Sequence, residues 1–215
     1  MTESTLANQC YDSLKEAIIR GTFTPGEKLQ IEKLKAFLKV GPTPIREALS
    51  RLATTSLVVI QANRGFFVRK VDQEEVRDVY TIFSQIERLA LDRAIDNGDT
   101  AWEARILAAL HQLSVIENGS APINFSQWVR LNYEFHYAMV SACDSACLLK
   151  IREDLYLQLD RFCFLSALIN ESVLSVNHQD HVKIAQAVIG RDKEKAFSLM
   201  AKHLDGAMHQ IMRTL

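Results

Sequence analysis

A change of hydrophobic period near residue 70 constrains this chain more than any other feature. Before it, three short helical stripes are followed by two β-branched and aromatic runs. After it, the apolar pattern keeps the 3.6-residue period of a helix to the end. In the first part Leu6, Cys10, Leu14, Ala17 and Ile18 form one stripe, ended by Gly21. Thr24-Pro25-Gly26 is a turn signature, because proline and glycine set the backbone angles that a tight turn needs. Ile31, Leu34 and Leu38 predict a second, short helix, and Val40-Gly41 breaks it. Ile45, Ala48, Leu49 and Leu52 give a third stripe at i, i+3, i+4 and i+7. Residues 57–60 and 66–68 then read as strands, joined through polar Gln61-Ala62-Asn63-Arg64-Gly65 into a hairpin. Three helices and a hairpin in about 70 residues is the plan of a winged helix-turn-helix.

In the second part Asp72, followed three residues later by Glu75, predicts a capping box at the start of a long helix. Helices are expected over 73–96, 101–117, 123–143, 147–170, 178–189 and 193–212, with breaks at Asn97-Gly98, Asn118-Gly119-Ser120, Asp144-Ser145, Asn170-Glu171-Ser172 and Gly190. The fold class is therefore mainly α: a winged helix-turn-helix over residues 1–70 and an all-α bundle of six or seven helices over 71–215. No apolar run approaches the ~20 residues of a membrane span. The polar stretch from Met1 to Asn8 lacks the apolar core of a signal peptide. A cytoplasmic protein with no membrane partner is expected. Its cysteines, Cys10, Cys143, Cys147 and Cys163, would then stay reduced. Cys143 and Cys147 are expected on one helix face; without tight C-x-x-C spacing, all four read as small packing residues.

Net charge is only -1, which alone argues against nucleic acid. The distribution argues for it. Residues 1–72 hold 11 Lys+Arg against 7 Asp+Glu, or +4, and residues 73–215 hold 14 against 19, or -5. A basic head on an acidic body suits a protein that meets phosphates with one end.

The helix beginning near Thr43 has the two faces that a DNA-reading helix needs. Its apolar stripe holds it in place, and Thr43, Arg46, Glu47, Ser50 and Arg51 face outward. Arginine bonds a guanine edge bidentately or binds a phosphate. The free amides of the helix N-terminus favour phosphate as well. Arg64 and Gly65 mark the hairpin tip, where an arginine can enter a minor groove. Lys33, Lys35 and Lys39 surround the turn before the helix and can hold the backbone.

Pro25-Gly26-Glu27-Lys28-Leu29, Thr43-Pro44-Ile45-Arg46-Glu47-Ala48-Leu49, Arg51-Leu52 and Arg64-Gly65-Phe66-Phe67-Val68 together resemble the head of GntR transcriptional regulators, in order and spacing. The resemblance implies that Thr43 and Arg46 meet DNA from the recognition helix, and Arg64 and Gly65 from the wing. One position departs. The family usually carries an arginine just before that threonine, and here it is Pro42. Proline cannot read a base by hydrogen bonding, so an altered operator preference is expected, with Arg46 and the wing carrying more of the discrimination.

Residues 73–213 resemble the C-terminal domain of the FadR subgroup of these regulators. In the related domains an Asp or Asn followed by three histidines holds a metal, which implies Asn132, His136, His181 and His203 here. Asn132 and His136 lie four apart and share a helix face. His181 and His203 are equidistant from residue 192, beside the Gly190-Arg191-Asp192 turn. In an antiparallel helix pair they come level, about 16 Å from the turn at the α-helical rise. Three neutral imidazoles suit zinc, nickel or another borderline divalent ion. The alternative is that they are polar groups lining a water-filled cavity. Asparagine adds no charge, so an ion there keeps its full +2 and favours an organic-acid effector.

Arg130, Tyr133, Arg161 and His178 are the further candidates for effector contact, with Tyr156 beside them. Many relatives carry an arginine four residues before Glu87; here Phe83 stands at that position, which predicts an effector less acidic or more apolar than is common in the family. The resemblance also implies a homodimer on a palindromic operator in double-stranded DNA. Two other classes compete. A three-histidine metal with an open position is the core of a metal-dependent hydrolase, although no paired general base lies at useful spacing. A helical adaptor that binds protein alone predicts no salt-dependent DNA affinity.

Overall fold

The computed structural model describes residues 6–55, 57–119, 125–165, 171–213 and 215. Among these, α1 (Leu6–Ile19), α2 (Ile31–Leu38), α3 (Pro42–Thr54), β1 (Val58–Gln61) and β2 (Gly65–Val68) form the head, and α4 (Gln73–Asn97), α5 (Thr100–Glu117), α6 (Phe125–Val140), α7 (Ala146–Leu165), α8 (Glu171–Ile189) and α9 (Lys193–Met212) follow. The chain divides into two compact units. One runs up to Glu75 and takes in α7 from Leu157 onward; the other contains Val76–Tyr156 and the last two helices. No described helix is long and apolar enough to cross a membrane.

The head closes around the three stripes read from the sequence. Leu14 and Ile18 of α1, Leu34 of α2 and Ile45, Leu49 and Leu52 of α3 join Leu57, Val58 and Val68 in one core. Burying aliphatic side chains completely contributes about 1.5–3 kcal/mol each, and this is the main force holding so small a unit together. The strands pair antiparallel with Val58 opposite Val68 and Gln61 opposite Gly65. The wing is broader than a hairpin. Leu29 donates to the Phe66 carbonyl and Val68 to the Glu27 carbonyl, so the stretch before α2 lies along β2 as a third edge. What sends it there is the turn at Thr24, closed by the Glu27 amide on the Thr24 carbonyl with Gly26 at φ +81.

In the second unit α5 packs on α6 and α8, and α8 packs on α9. Asp72 accepts from the Glu75 amide at 2.8 Å ahead of α4, the expected cap. The reciprocal half of the box is not made, because the Glu75 carboxylate pairs with Arg69 at 2.9 Å and with buried Arg161 at 3.2 Å. Asp99 caps α5 through the Trp102 amide. The buried Trp102 ring leaves room only for glycine at residue 98, where a Cβ would stand 2.1 Å from it.

Three expectations change. The helix expected over 178–189 begins already at Glu171, since nothing between 171 and 177 is a glycine or proline able to stop it. Cys143 and Cys147 do not share a helix: α6 ends at Val140, and Cys143 sits in the turn before α7. Cys147 is exposed, so the packing role holds for Cys10 and Cys143 and not for it. The first two residues of the helix expected over 123–143, and the last five of that over 147–170, lie outside the described residues.

Candidate nucleic-acid interface and buried histidine centre

On α3, burial and exposure separate cleanly. Ile45, Ala48, Leu49 and Leu52 are fully buried, whereas Thr43, Arg46, Glu47, Ser50 and Arg51 are exposed. The helix starts at Pro42, behind Gly41 as N-cap. The first four amides of a helix have no partner within it. Counted from the N-cap these are Gly41, Pro42, Thr43 and Pro44; Pro42 and Pro44 have no amide proton, so only Gly41 and Thr43 can offer one, half the donors of an ordinary helix. Exposed Lys39 ends α2 in the left-handed region at φ +56, immediately before α3. Arg51 is held within the head: Nη1 donates to Asn8 Oδ1 at 2.7 Å and the guanidinium lies 4.5 Å from the Tyr11 ring. Arg64 is exposed at the wing tip, with its guanidinium 5.6 Å from the Phe67 ring, beside Gly65 at φ +97.

In the second unit three histidines from α6, α8 and α9 converge. One nitrogen from each of His136, His181 and His203 lies within 4.8 Å of the others. The Nε2 atoms of His181 and His203 are 3.3 Å apart. The antiparallel reading of α8 and α9 accounts for this approach. Each imidazole also has a carboxylate on its Nδ1 side: Glu117 at 3.0 Å for His181, Asp180 at 3.7 Å for His203 and Glu87 at 3.9 Å for His136. Carboxylates so placed favour the tautomer whose Nε2 lone pair points away from them. Burial, then the neighbouring His181, His203 and Arg152, hold the His136 pKa well below its usual value. Burial also lowers that of His203, against the pull of Asp180. Both shifts favour the neutral rings of His136 and His203, and the three imidazoles are close enough together to hold a divalent ion.

Asn132 lies one turn before His136 and donates through Nδ2 to the Tyr156 hydroxyl at 3.0 Å, leaving Oδ1 buried without a hydrogen-bond partner. A buried amide oxygen with no donor suits a cation. Beside it runs an aromatic wall in which Tyr156 meets Tyr133 at 4.9 Å and Phe83 at 5.7 Å between ring centroids. Sequence reasoning missed Arg152, fully buried over Phe83 and Tyr156 and paired with buried Glu87. It precedes Tyr156 by one helical turn, a spacing that was visible. Glu117 was missed as well, although Leu113 one turn earlier placed it on a buried stripe.

Other candidates are not brought to this cluster. Arg130 is exposed and paired with Glu134 at 2.6 Å. Arg161 belongs to the other unit, on Glu75. His178 stands 3.9 Å from Glu117, close to the triad but outside hydrogen-bond reach.

Comparison with known proteins identifies both parts of the chain. Residues 6–68 match the model for bacterial regulatory proteins of the gntR family, and residues 78–206 match the FCD domain. The chain is 34% identical to the HTH-type transcriptional repressor GlaR of Escherichia coli (strain K12), over 90% of each chain. It is 33% identical to the uncharacterized HTH-type transcriptional regulator BphR of Paraburkholderia xenovorans (strain LB400), over 95% of this chain and 84% of that one. The solved structure of E. coli McbR/YncC shares the fold, with a TM-score of 0.82 over 97% of this chain and 98% of that one at 21% identity. These are regulators and not enzymes, which answers the hydrolase alternative. The exposed face of α3, the wing and the helical body with its histidine triad thus belong to a transcriptional regulator of the GntR family that carries an FCD domain.

Proposed function

We propose that this protein acts in the cytoplasm as a homodimeric regulator whose two heads read the half-sites of a palindromic operator in double-stranded DNA. An organic-acid effector, bound beside a divalent ion in the helical body, alters the spacing of those heads. The observation that carries the reading is the convergence of His136, His181 and His203, each with a carboxylate on its outer nitrogen. Nitrogen donors of this kind favour zinc or nickel. Asn132 Oδ1 supplies the fourth ligand, since its amide is turned by Tyr156 and its oxygen accepts nothing else.

Glu87 cancels Arg152, and Glu117 and Asp180 stand behind the imidazoles, so an anionic effector is favoured by direct ligation of the ion and not by net charge. Arg152 keeps Nη1 without a hydrogen-bond partner although Glu87 takes its Nε and Nη2, and it lies beside His136 and Tyr156, where neither exposed Arg130 nor Arg161 of the other unit is brought, so it is the better placed for a carboxylate. Phe83, Tyr133 and Tyr156 offer ring faces to the rest of the molecule. A monocarboxylate with an apolar or aromatic tail fits them better than a small polyanion.

Fluorescence anisotropy on operator DNA, selected from a random pool, tests this at two salt concentrations with zinc, nickel or a chelator and a panel of mono- and dicarboxylic acids. The expected result is salt-dependent DNA binding that an apolar monocarboxylate changes only while the metal is present. DNA affinity indifferent to salt would support the adaptor class instead. An acid response that survives complete metal removal would overturn the metal-centred part.

A further inference from the structure

Glu117 is the last residue of α5, with a fully buried side chain and two donors on its two oxygens. Trp128 Nε1 donates to Oε1 at 3.0 Å, and His181 Nδ1 meets Oε2 at 3.0 Å. Glu87 and Asp180 stand back at 3.9 and 3.7 Å from their histidines, and Glu87 is already committed to Arg152. Among the described residues, Glu117 is therefore the one carboxylate within hydrogen-bond distance of a triad imidazole.

We propose that Glu117 is the positioning residue of the histidine centre, and that Trp128 is the reason a carboxylate rather than an amide is required there. This rests on reading the triad as a metal centre. A neutral imidazole carries one proton on one nitrogen. An acceptor-only carboxylate against Nδ1 puts the proton there and leaves the Nε2 lone pair facing His203. A glutamine has one acceptor oxygen and an amide that only donates. The indole only donates too, so it takes that oxygen. The glutamine NH2 then faces His181 Nδ1, which has to become an acceptor. The imidazole proton moves to Nε2, between the two histidines, where it blocks a ligand lone pair. Removing the indole donor frees the glutamine oxygen to accept from Nδ1–H and restores the original tautomer.

The test compares Glu117→Gln, Trp128→Phe and the double variant with the wild type. Zinc affinity is measured by competition with a chromogenic chelator, and histidine tautomers by side-chain 15N NMR on metal-free protein. Expected are a loss of about 10–100-fold in zinc affinity for Glu117→Gln, near-wild-type affinity for Trp128→Phe, and recovery of most of the loss in the double variant. The His181 proton should move from Nδ1 to Nε2 in Glu117→Gln alone. A Glu117→Gln protein that folds only together with Trp128→Phe also supports the donor conflict. Zinc affinity of Glu117→Gln within twofold of wild type, or a double variant as weak as Glu117→Gln, overturns the proposal. An Nε2–H tautomer of His181 in the metal-free wild type overturns it without any variant. A wild type that binds no metal yet shows the tautomer change sinks the metal reading and leaves the role of Glu117 in setting the tautomer standing.

Discussion

His181 Nε2 and His203 Nε2 lie 3.3 Å apart, the closest approach within the triad that the structure records. Where Asp180, 3.7 Å from His203 Nδ1, draws that ring's proton outward as Glu117 does for His181, two lone pairs face one another across the gap and a cation between them relieves the repulsion. Divalent ions should therefore stabilise the folded protein. At free zinc roughly a thousand times its dissociation constant, linkage gives about 4 kcal/mol. A thermal melt should rise by several degrees with zinc or nickel, fall back with a chelator, and show no response in His203→Ala. A wild-type melt unmoved by any divalent ion would dispose of the idea.

The Glu87–Arg152 pair makes a different prediction, because neither side chain meets water. A buried charge that loses its partner costs about 3–5 kcal/mol, whereas replacing both charges with apolar groups of similar volume is often close to neutral. Glu87→Ala should lower stability in urea denaturation by an amount in that range. Glu87→Met combined with Arg152→Met should recover most of the loss. A double variant as unstable as Glu87→Ala would mean that packing, and not the unpaired guanidinium, sets the cost.

In the head, Arg46 is exposed on α3 and Lys39 precedes it at the end of α2. They should act differently. Arg46→Ala should cost about 1–3 kcal/mol of operator affinity and relax the preference at one base position. Lys39→Ala should weaken all sequences alike and reduce the slope of log affinity against log salt by about one. Equal losses on operator and random DNA for Arg46→Ala would reassign it to a phosphate.

What the sequence made legible was periodic. The stripes of α1 and α3, the turn at Pro25-Gly26, the hairpin and the level placement of His181 with His203 follow from 3.6- and 2-residue repeats and from turn chemistry, all local. What it hid was pairing across the fold. Nothing local joins Glu87 to Arg152, 65 residues away, or Glu117 to His181, 64 away. The third edge of the wing was missed for the same reason: Glu27, Lys28 and Leu29 are strand-like only because β2 lies beside them. Arg161 is a case of the same kind, since the Glu75 that takes its guanidinium lies 86 residues earlier.

Asn132 brings the triad and the aromatic wall into one experiment. Its amide donates to Tyr156 while Oδ1, buried, accepts no hydrogen bond. Asn132→Asp keeps the shape, adds a negative charge to the ligand set and replaces the donor that faces Tyr156 with an acceptor, which the phenol can satisfy by turning its own proton inward. Two effects should follow together. The divalent ion should bind more tightly, since a full charge now faces it. A carboxylate effector should bind more weakly, since the loaded site is less positive by one unit. Isothermal titration with zinc, and then with the best acid from the panel, checks both. Tighter metal with unchanged acid affinity would place the effector carboxylate away from the ion, on Arg152 alone. Unchanged metal affinity would remove Asn132 from the ligand set.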